Sequence, residues 1–244
     1  GLYDSAETDH AVVFLHGFER TTVERKFKTL ADALNGRVHL LRFDFAGSGL
    51  SDGDYGTMTV AKMTRDVASA IDWLRSEAPT IKHLSLVGHS LGACVALSYA
   101  AAHPEMVNRL VLLAPALNQR VLQRYWFVRM QNREARFENY EASFDEQAFQ
   151  KFMQEETHKT KETILGKGYF LENAEADYRP LVSLYPDPSK ILVIQGTRDD
   201  KVPTQTNDGL PSGIASMTVQ GGDHDLQSPD ALPQYLNKIV SFLA

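Results

Sequence analysis

Short apolar runs alternate along the chain with longer stretches of helical periodicity, and this alternation constrains the fold more than any other feature. The apolar runs cover residues 11–15, 38–43, 84–87, 109–114, 191–195 and 216–219. They are continuous rather than alternating, which is expected of strands that are covered on both faces of a sheet. The pattern therefore predicts an α/β fold with a mostly parallel sheet and helices on both faces.

Helical periodicity fills most of the gaps between these runs. Residues 23–34 and 60–78 carry apolar side chains at helical spacing, which predicts amphipathic helices. Residues 91–102 are nearly all small or apolar, so this stretch is predicted to be a helix buried against the sheet. Residues 231–243 are predicted to form a last amphipathic helix.

Residues 118–185 interrupt this rhythm. The segment contains no strand-like run, and it is charged, rich in aromatic residues and helical in its pattern. Prolines punctuate its end at Pro180, Pro186 and Pro188. We interpret residues 118–185 as a helical cap that is inserted between two core strands. Residues 1–117 and 186–244 then form the α/β core.

Charge and composition argue against several classes of partner. The net charge is −6 and no block of Lys or Arg stands out, whereas a nucleic-acid-binding protein normally presents a basic face. The longest apolar runs are too short to span a bilayer, and the start of the chain shows no pattern of a secretory signal. We therefore expect neither a nucleic acid nor a membrane as partner. The single cysteine, Cys94, excludes an intrachain disulfide and fits a reducing cytoplasm.

Metal and cofactor sites are not indicated either. Five histidines show no metal-ligand spacing with carboxylates or with one another, and we interpret them as surface or structural residues. They are His10, His39, His83, His103 and His158. No Gly-x-Gly-x-x-Gly sequence follows the first predicted strand, so a dinucleotide site has no support. The sequence thus predicts no metal and no cofactor, and it makes no prediction of the oligomeric state.

The strongest chemical signal lies at residues 88–92, where Gly-His-Ser-Leu-Gly forms a G-x-S-x-G motif between an apolar strand and a small-residue helix. A serine that projects from so sharp a turn needs a strained backbone, and Gly88 and Gly92 leave room for it. The N-terminal end of the following helix directs its N–H groups and dipole toward a developing oxyanion. Ser90 is therefore the predicted nucleophile, and Cys94 on the same helix is predicted to be a core residue.

A second signal, His16-Gly17-Phe18, follows the first predicted strand directly. A glycine-loosened turn at this place can bring the Phe18 amide opposite the Leu91 amide, so that the two form an oxyanion hole. We therefore predict Phe18 and Leu91 as the oxyanion donors. His16 itself is expected to be a structural histidine if the turn has no such role.

A serine hydroxyl needs a base, and the base needs an acid to orient it. The strand at residues 191–195 is followed by Asp199 and Asp200, and the strand at residues 216–219 is followed by His224. The resulting chain order of Ser, Asp and His is the order that this kind of fold uses. His224 is the predicted base and Asp199 the preferred acid, because it comes first after the turn. Asp200 stays open as the alternative acid.

Together these motifs resemble the α/β-hydrolase family over nearly the whole chain. Residues 42–53 are similar to the loop after an early strand in the capped esterases of that family, in particular its cinnamoyl and feruloyl esterase branch, and residues 165–170 resemble the return of that cap. Two departures stand out. Leu91 occupies a position where many feruloyl esterases carry Gln, and only ten residues precede the first predicted strand, so the N-terminal hairpin is expected to be shortened or missing. Asp44 and Asp52 are interpreted as turn residues.

The resemblance implies a serine carboxylesterase that hydrolyses small to medium acyl or aromatic esters, such as hydroxycinnamates, through an acyl-enzyme. The partner is then a small-molecule ester. Aromatic residues of the cap are candidates for the walls of the substrate pocket, with packing of the cap against the core as the alternative role for each. They are Tyr125, Trp126, Tyr169 and Phe170.

Other activities remain open. Thioester hydrolysis, amide cleavage and cofactor-free perhydrolysis would use the same three residues, and the sequence does not separate them. A binding protein that kept the fold without catalysis is a further alternative, although no member of the triad is missing. Haloalkane dehalogenases and epoxide hydrolases are disfavoured, because they use Asp where Ser90 stands.

Overall fold

The computed structural model describes residues 1–243, and its centre is a seven-stranded sheet in the order β1-β3-β2-β4-β5-β8-β9. The strands of this sheet are β1 (Leu2–Asp4), β2 (His10–Leu15), β3 (His39–Arg42), β4 (His83–His89), β5 (Val107–Leu113), β8 (Ile191–Gly196) and β9 (Ala215–Val219). Strand β1 pairs antiparallel with β3, and all other pairings in this sheet are parallel. The predicted α/β fold with a mostly parallel sheet is confirmed.

Helices cover the sheet on both faces, as predicted. Helices α1 (Arg25–Leu34) and α7 (Leu232–Leu243) pack on one face, and α2 (Val60–Glu77) and α3 (Leu91–Ala102) pack on the other. Strand β2 shows how one strand serves both cores. Its Val12 and Phe14 face α1 and α7, whereas Val13 and Leu15 face α2 and α3. Because both faces are covered, the apolar residues of this strand are continuous.

Helix α3 is the most deeply buried helix. Nine of its residues are buried, and it contacts α2 on one side and strands β2, β4 and β5 on the other. A helix that is apolar on all sides can only be stable inside the molecule, so its sequence dictates this position. Cys94 lies in this helix with no exposed surface, and burial raises the pKa of its thiol. The prediction that Cys94 is a core residue is confirmed.

The segment 118–185 lies between β5 and β8 and contains three helices, α4 (Gln119–Gln131), α5 (Glu146–Met153) and α6 (Lys167–Asn173). Two of its 3₁₀ turns cover Phe137–Ser143 and Arg179–Leu184. It also contains an antiparallel hairpin of β6 (Thr157–Lys159) and β7 (Ile164–Gly166). The expectation that this segment has no strand was therefore wrong. Strands of three residues are too short to show an alternating pattern, and this hairpin is rich in charge.

The residues before β2 form one short strand. Strand β1 adds one antiparallel strand at the edge of the sheet, with Leu2 opposite Arg42 and Asp4 opposite Leu40. The Tyr3 hydroxyl lies 2.9 Å from Nδ1 of His39, which anchors this edge. In the part of the chain that the structure describes, no helix combines the length and apolar character needed to cross a bilayer.

Four of the parallel strands, β2, β4, β8 and β9, end at the same edge of the sheet, and each is followed by a loop with a predicted site residue. Two glycines make this arrangement possible. A Cβ atom on Gly88 would lie 2.4 Å from the Gly92 carbonyl oxygen, and one on Gly92 would lie 2.3 Å from that of Leu15. Helix α3 can approach the end of β2 only because these side chains are absent.

We therefore expect Gly92→Ala to destabilise the protein by at least about 3 kcal/mol, because the added methyl group meets backbone atoms that cannot move aside. Urea unfolding measures the change. Gly168→Ala is the matched control, because its nearest neighbour would be the Thr59 Cγ2 atom at 3.7 Å. The control should be neutral or stabilising by up to about 1 kcal/mol, since alanine favours helix. Equal losses in both variants would contradict the close approach of α3 to β2.

Candidate active site

Ser90 lies at the sharp turn between β4 and α3. Its backbone has φ 55° and ψ −117°, which is a left-handed conformation that side chains other than glycine rarely adopt. The Ser90 amide donates a hydrogen bond of 2.9 Å to the Leu113 carbonyl, which anchors the turn to β5. The side chain of Ser90 points from this turn into a cavity, and the residue is 7% exposed.

His224 lies in the loop after β9 and contacts Ser90. The distance from His224 Nε2 to Ser90 Oγ is 2.9 Å, and the distance from His224 Nδ1 to Asp199 Oδ2 is 2.8 Å. In the neutral tautomer that this network favours, Nδ1–H donates to the carboxylate and Nε2 accepts from the serine hydroxyl. This is the hydrogen-bond chain that a serine nucleophile, a base and an orienting acid require.

Asp199 rather than Asp200 faces the histidine. The second carboxylate oxygen of Asp199 accepts hydrogen bonds from the backbone amides of Lys201 (3.0 Å) and Val202 (2.8 Å), which fix its orientation. Its side chain is 1% exposed. Asp200 points outward instead, with a side chain that is 58% exposed and 3.0 Å from the guanidinium of Arg129.

The two predicted oxyanion donors flank Ser90. Among residues 1–243, neither the Phe18 amide nor the Leu91 amide has a hydrogen-bond acceptor, so both N–H groups are available to a ligand. The Leu91 amide is at the N-terminal end of α3, where the helix dipole adds positive potential. Gly17 makes the approach of the Phe18 loop possible, since a Cβ atom there would lie 3.0 Å from the Cβ of Ser90.

His16 holds the loop that carries Phe18. Its Nδ1–H donates to the Gly17 carbonyl (2.9 Å), and its Nε2 accepts from the Phe45 amide (3.1 Å). Burial lowers the pKa of this histidine, which keeps it neutral, as this bonding pattern needs. Asp44 holds the neighbouring loop in a similar way, by accepting from the amides of Thr22 and Leu50. The structural interpretation of both residues agrees with these contacts.

Glu19 ties the Phe18 loop to the inserted segment. Its backbone has a φ of 49°, and its amide donates to the Tyr55 hydroxyl at 2.8 Å. Its carboxylate accepts hydrogen bonds from the Thr160 hydroxyl and the Glu162 amide, which both belong to the turn between β6 and β7. The position of the Phe18 amide thus depends on a hairpin that lies far away in the sequence.

A cluster of charged residues supports the His224 loop from the other side. Asp225 lies 2.9 Å from the Arg20 guanidinium and 3.5 Å from the Lys201 ammonium. Burial raises the pKa of Asp225, but Lys201 and Arg20 together outweigh it and hold this pKa below its usual value. The ring of His89, which is fully buried, adds a hydrogen bond of 2.9 Å from its Nε2–H to the His224 carbonyl.

Ser90 and His224 lie at the floor of a cavity of about 420 Å³, and Asp199 lies behind His224 outside the cavity wall. Of the predicted wall residues, Trp126, Tyr169 and Phe170 line it. Tyr125 does not. It packs against the rings of Phe137 and Tyr140, and its hydroxyl donates to the Asp200 carbonyl at 3.0 Å. The prediction that Tyr125 is a wall residue was therefore wrong. The helical twist of α4 turns its side chain away from the cavity that its neighbour Trp126 lines.

Sequence reasoning missed several wall residues of this cavity. They are Phe127, Met130, Phe152 and His158. The aromatic content of residues 118–185 was the available signal, but helical periodicity alone does not say which face of each helix meets the cavity. Burial lowers the pKa of His158, whose ring lies between those of Phe152 and Phe170 with centroid distances of 4.1 and 4.2 Å.

Two histidines approach a carboxylate at the opposite edge of the sheet. Asp9, His10 and His83 each offer a ligand atom, and these atoms lie within 4.8 Å of one another. The spacing of these residues in the sequence did not predict this arrangement, because the pairing of His10 with His83 arises from the register of β2 and β4. The Lys82 ammonium lies 3.2 Å from Asp9 and competes for its carboxylate, and the group is remote from the cavity.

Comparison with known proteins agrees with the fold. Residues 6–220 match the model of the Hydrolase_4 family, described as serine aminopeptidase S33, and the chain belongs to this α/β-hydrolase family. Human palmitoyl-protein thioesterase ABHD10, a mitochondrial protein, is 28% identical over 207 residues, which are 84% of this chain and 60% of that protein. Pyrrolizixenacetamide deacetylase from Xenorhabdus hominickii is 31% identical over 109 residues, or 45% of this chain and 39% of that protein.

The mouse ABHD10 sequence matches at 38% identity over 109 residues, which are 45% of this chain and 33% of that protein. The chain therefore spans between about a third and three fifths of the length of these curated relatives. Among solved structures, Est1E from Butyrivibrio proteoclasticus with bound ferulic acid has a TM-score of 0.75 at 19% identity, covering 99% of this chain and 92% of that chain. Mouse ABHD10 has a TM-score of 0.68 at 17% identity, covering 98% and 91%. These structural likenesses show the fold.

The lowered pKa of His158 predicts that the stability of the protein depends on pH. A base whose pKa is lower in the folded state than its usual value near 6.5 binds its proton more readily when the chain is unfolded. Stability is therefore lost as the pH falls below about 6.5. In His158→Phe this contribution is absent. The melting temperature of this variant relative to the native protein should rise between pH 7.5 and pH 5. A difference that does not change with pH would contradict the buried, neutral histidine.

Proposed function

We propose that the protein is a serine hydrolase that cleaves esters or thioesters of apolar or aromatic acyl groups through an acyl-enzyme on Ser90. The observation that carries the proposal is the hydrogen-bond chain from Ser90 through His224 to Asp199, which lies beside two unpaired amides at the floor of an apolar cavity. A binding protein has no need of this chain or of the strained serine turn, so the arrangement favours catalysis.

The proposed reaction begins when Ser90 Oγ attacks the acyl carbon while His224 Nε2 takes the hydroxyl proton. Asp199 holds the imidazole in place and stabilises its charged form. The amides of Phe18 and Leu91 donate to the oxyanion, and a single donor of this kind typically contributes about 10²–10³ in rate.

The tetrahedral intermediate then collapses, the bond to the leaving oxygen or sulfur breaks, and His224 Nε2–H donates its proton to the leaving group. Water attacks the acyl-enzyme with the same base, which releases the carboxylic acid and restores the serine. No step of this reaction calls for a metal or a cofactor.

Esters and thioesters differ in the leaving group, which is an alcohol in one and a thiol in the other. Both are included as substrates in the proposal. The feruloyl branch resemblance and the likeness to Est1E support an ester with an aromatic acyl part. The curated relatives that carry the name palmitoyl-protein thioesterase support a thioester. The cavity walls of Trp126, Phe127 and Phe170 suit either acyl group, since both are apolar. Amide cleavage, which the family description and the deacetylase relative suggest, is the third substrate class to test.

The proposed partner is thus a small molecule rather than a nucleic acid or a membrane, in keeping with the net charge of −6. A cytoplasmic location is part of the same proposal and rests on the single, buried Cys94. The residues 118–185 are proposed to act as a cap, because they supply most of the cavity wall opposite Ser90.

The proposal is tested by hydrolysis of a panel of substrates with the native protein, Asp199→Asn and Asp200→Asn. The panel pairs 4-nitrophenyl butyrate and methyl ferulate with S-butyryl-N-acetylcysteamine and an amino-acid 4-nitroanilide. We expect turnover of at least one ester or thioester, with kcat reduced about 10⁴-fold in Asp199→Asn, because the imidazole loses its oriented tautomer. The matched control Asp200→Asn should stay within about tenfold, since this carboxylate faces solvent.

Two results would contradict the proposal. One is turnover that survives in Ser90→Ala at the native rate, since loss of a serine nucleophile normally costs about 10⁶ in kcat. The other is an equal loss in Asp199→Asn and Asp200→Asn. If the protein cleaves only the nitroanilide, the substrate class is an amide and not an ester or thioester.

A further inference from the structure

A cleft of about 600 Å³ adjoins the cavity and carries an excess of positive charge. It shares Trp126, Met130, Lys161 and Lys201 with the cavity wall, so the two spaces are direct neighbours. Its other lining residues are Arg129, Arg133 and Asp200. Four cations thus meet a single carboxylate at this place, in a chain whose net charge is −6.

The cations of this cleft are only partly neutralised. Asp200 lies 3.0 Å from Arg129, and Lys201 lies 3.5 Å from Asp225, which Arg20 shares. The Lys161 ammonium is 3.9 Å from Glu162, and its side chain is 85% exposed. Arg133 is exposed and has no carboxylate within 4.0 Å in the part of the chain that the structure describes. Two cations, Arg133 and Lys161, are therefore available to a ligand.

The acidic residues of the cavity do not cancel this excess. Glu19 and Glu162 both line the cavity, but the two cations Arg20 and Lys159 line it as well and offset their charge. A concave surface lined by one sign of charge concentrates ligands of the opposite sign, and guanidinium groups bind carboxylates and phosphates in two-point geometry.

The interior of the cavity is apolar, in contrast to the cationic cleft. Phe127, Phe152 and Phe170 line it, and an anion placed among these rings would lose its hydration without a hydrogen-bond partner. An apolar acyl group fits this interior, while a charged group fits only the cleft outside it. Ser90 lines the cavity and does not line the cleft, so a substrate whose acyl group fills the cavity can reach the cleft only with its leaving group.

We propose that this cationic cleft binds an anionic leaving group, a phosphate or a carboxylate, of an ester or thioester whose apolar acyl part occupies the cavity. The inference rests on the proposed acyl hydrolysis and narrows its substrate class. The acyl carbon to oxygen or sulfur bond breaks, the proton on His224 Nε2 passes to the leaving group, and water supplies the hydroxyl of the released acid. The anionic group takes no part in these steps; the cleft holds it in place.

The test compares substrate pairs of which only one member has an anionic leaving group. Butyryl-coenzyme A is paired with S-butyryl-N-acetylcysteamine, which has the same thioester but lacks the nucleotide with its phosphates. 3-Carboxy-4-nitrophenyl butyrate is paired with 4-nitrophenyl butyrate, which lacks the carboxylate. The readout is the ratio of kcat/KM for the anionic member to that for the neutral member, measured at low salt and in 0.5 M NaCl.

In the native protein we expect a preference for the anionic member of at least one pair. The double variant Arg133→Glu/Lys161→Glu should lower that preference at least about tenfold, and 0.5 M salt should reduce it in the native protein. Circular dichroism and the melting temperature check that the double variant is folded, and the ratio between the two members of a pair cancels any general loss of activity. The control Lys62→Glu, at an exposed residue of α2, should leave the preference nearly unchanged.

The pair that shows the preference identifies the anion as phosphate, carboxylate or both. A native protein that hydrolyses the neutral members but prefers no anionic one would overturn the inference, and so would a preference that survives both charge reversals. Failure to hydrolyse any member above the Ser90→Ala background would instead overturn the proposed acyl hydrolysis itself, so the two failures are distinguishable.

Discussion

The structure depends on one close approach, in which helix α3 begins directly after Ser90 and packs against the end of β2. The approach places Ser90 in a left-handed conformation and requires the absence of side chains at Gly88 and Gly92. It also sets the positive end of α3 and the unpaired Leu91 amide beside the serine. Because α3 is apolar on every side, its burial supplies the favourable free energy that holds this strained turn.

The segment 118–185 contacts the loops of the same site. Helix α4 reaches the acid loop, where the Tyr125 hydroxyl donates to the Asp200 carbonyl and the Trp126 indole donates to the Lys201 carbonyl at 2.7 Å. The turn between β6 and β7 reaches the loop of Phe18 through Glu19. The segment is therefore more than a wall of the cavity, since it contacts the loops that carry both an oxyanion donor and the acid.

The sequence predicted the sheet, its covering helices and the order of the serine, acid and histidine, because each rests on a local pattern. Contacts between residues far apart in the chain could not be predicted in this way. The three-residue strands β6 and β7 are too short for a periodic signal, and the inward face of α4 follows from packing, so Tyr125 was placed in the wrong environment. The meeting of Asp9 with His10 and His83 depends on strand register, and the cationic cleft assembles residues from α4, the β6–β7 turn and the loop after β8.

The most direct test of the central claim, an activated serine at a preorganised site, is labelling with a fluorophosphonate followed by intact-mass and peptide analysis. The serine oxygen displaces fluoride, and the adduct resembles the tetrahedral intermediate, so labelling needs the base and the oxyanion amides together. The account predicts one adduct per chain, on Ser90, that forms much more slowly in His224→Ala. An adduct on another residue, or a native protein that no fluorophosphonate labels, would contradict it.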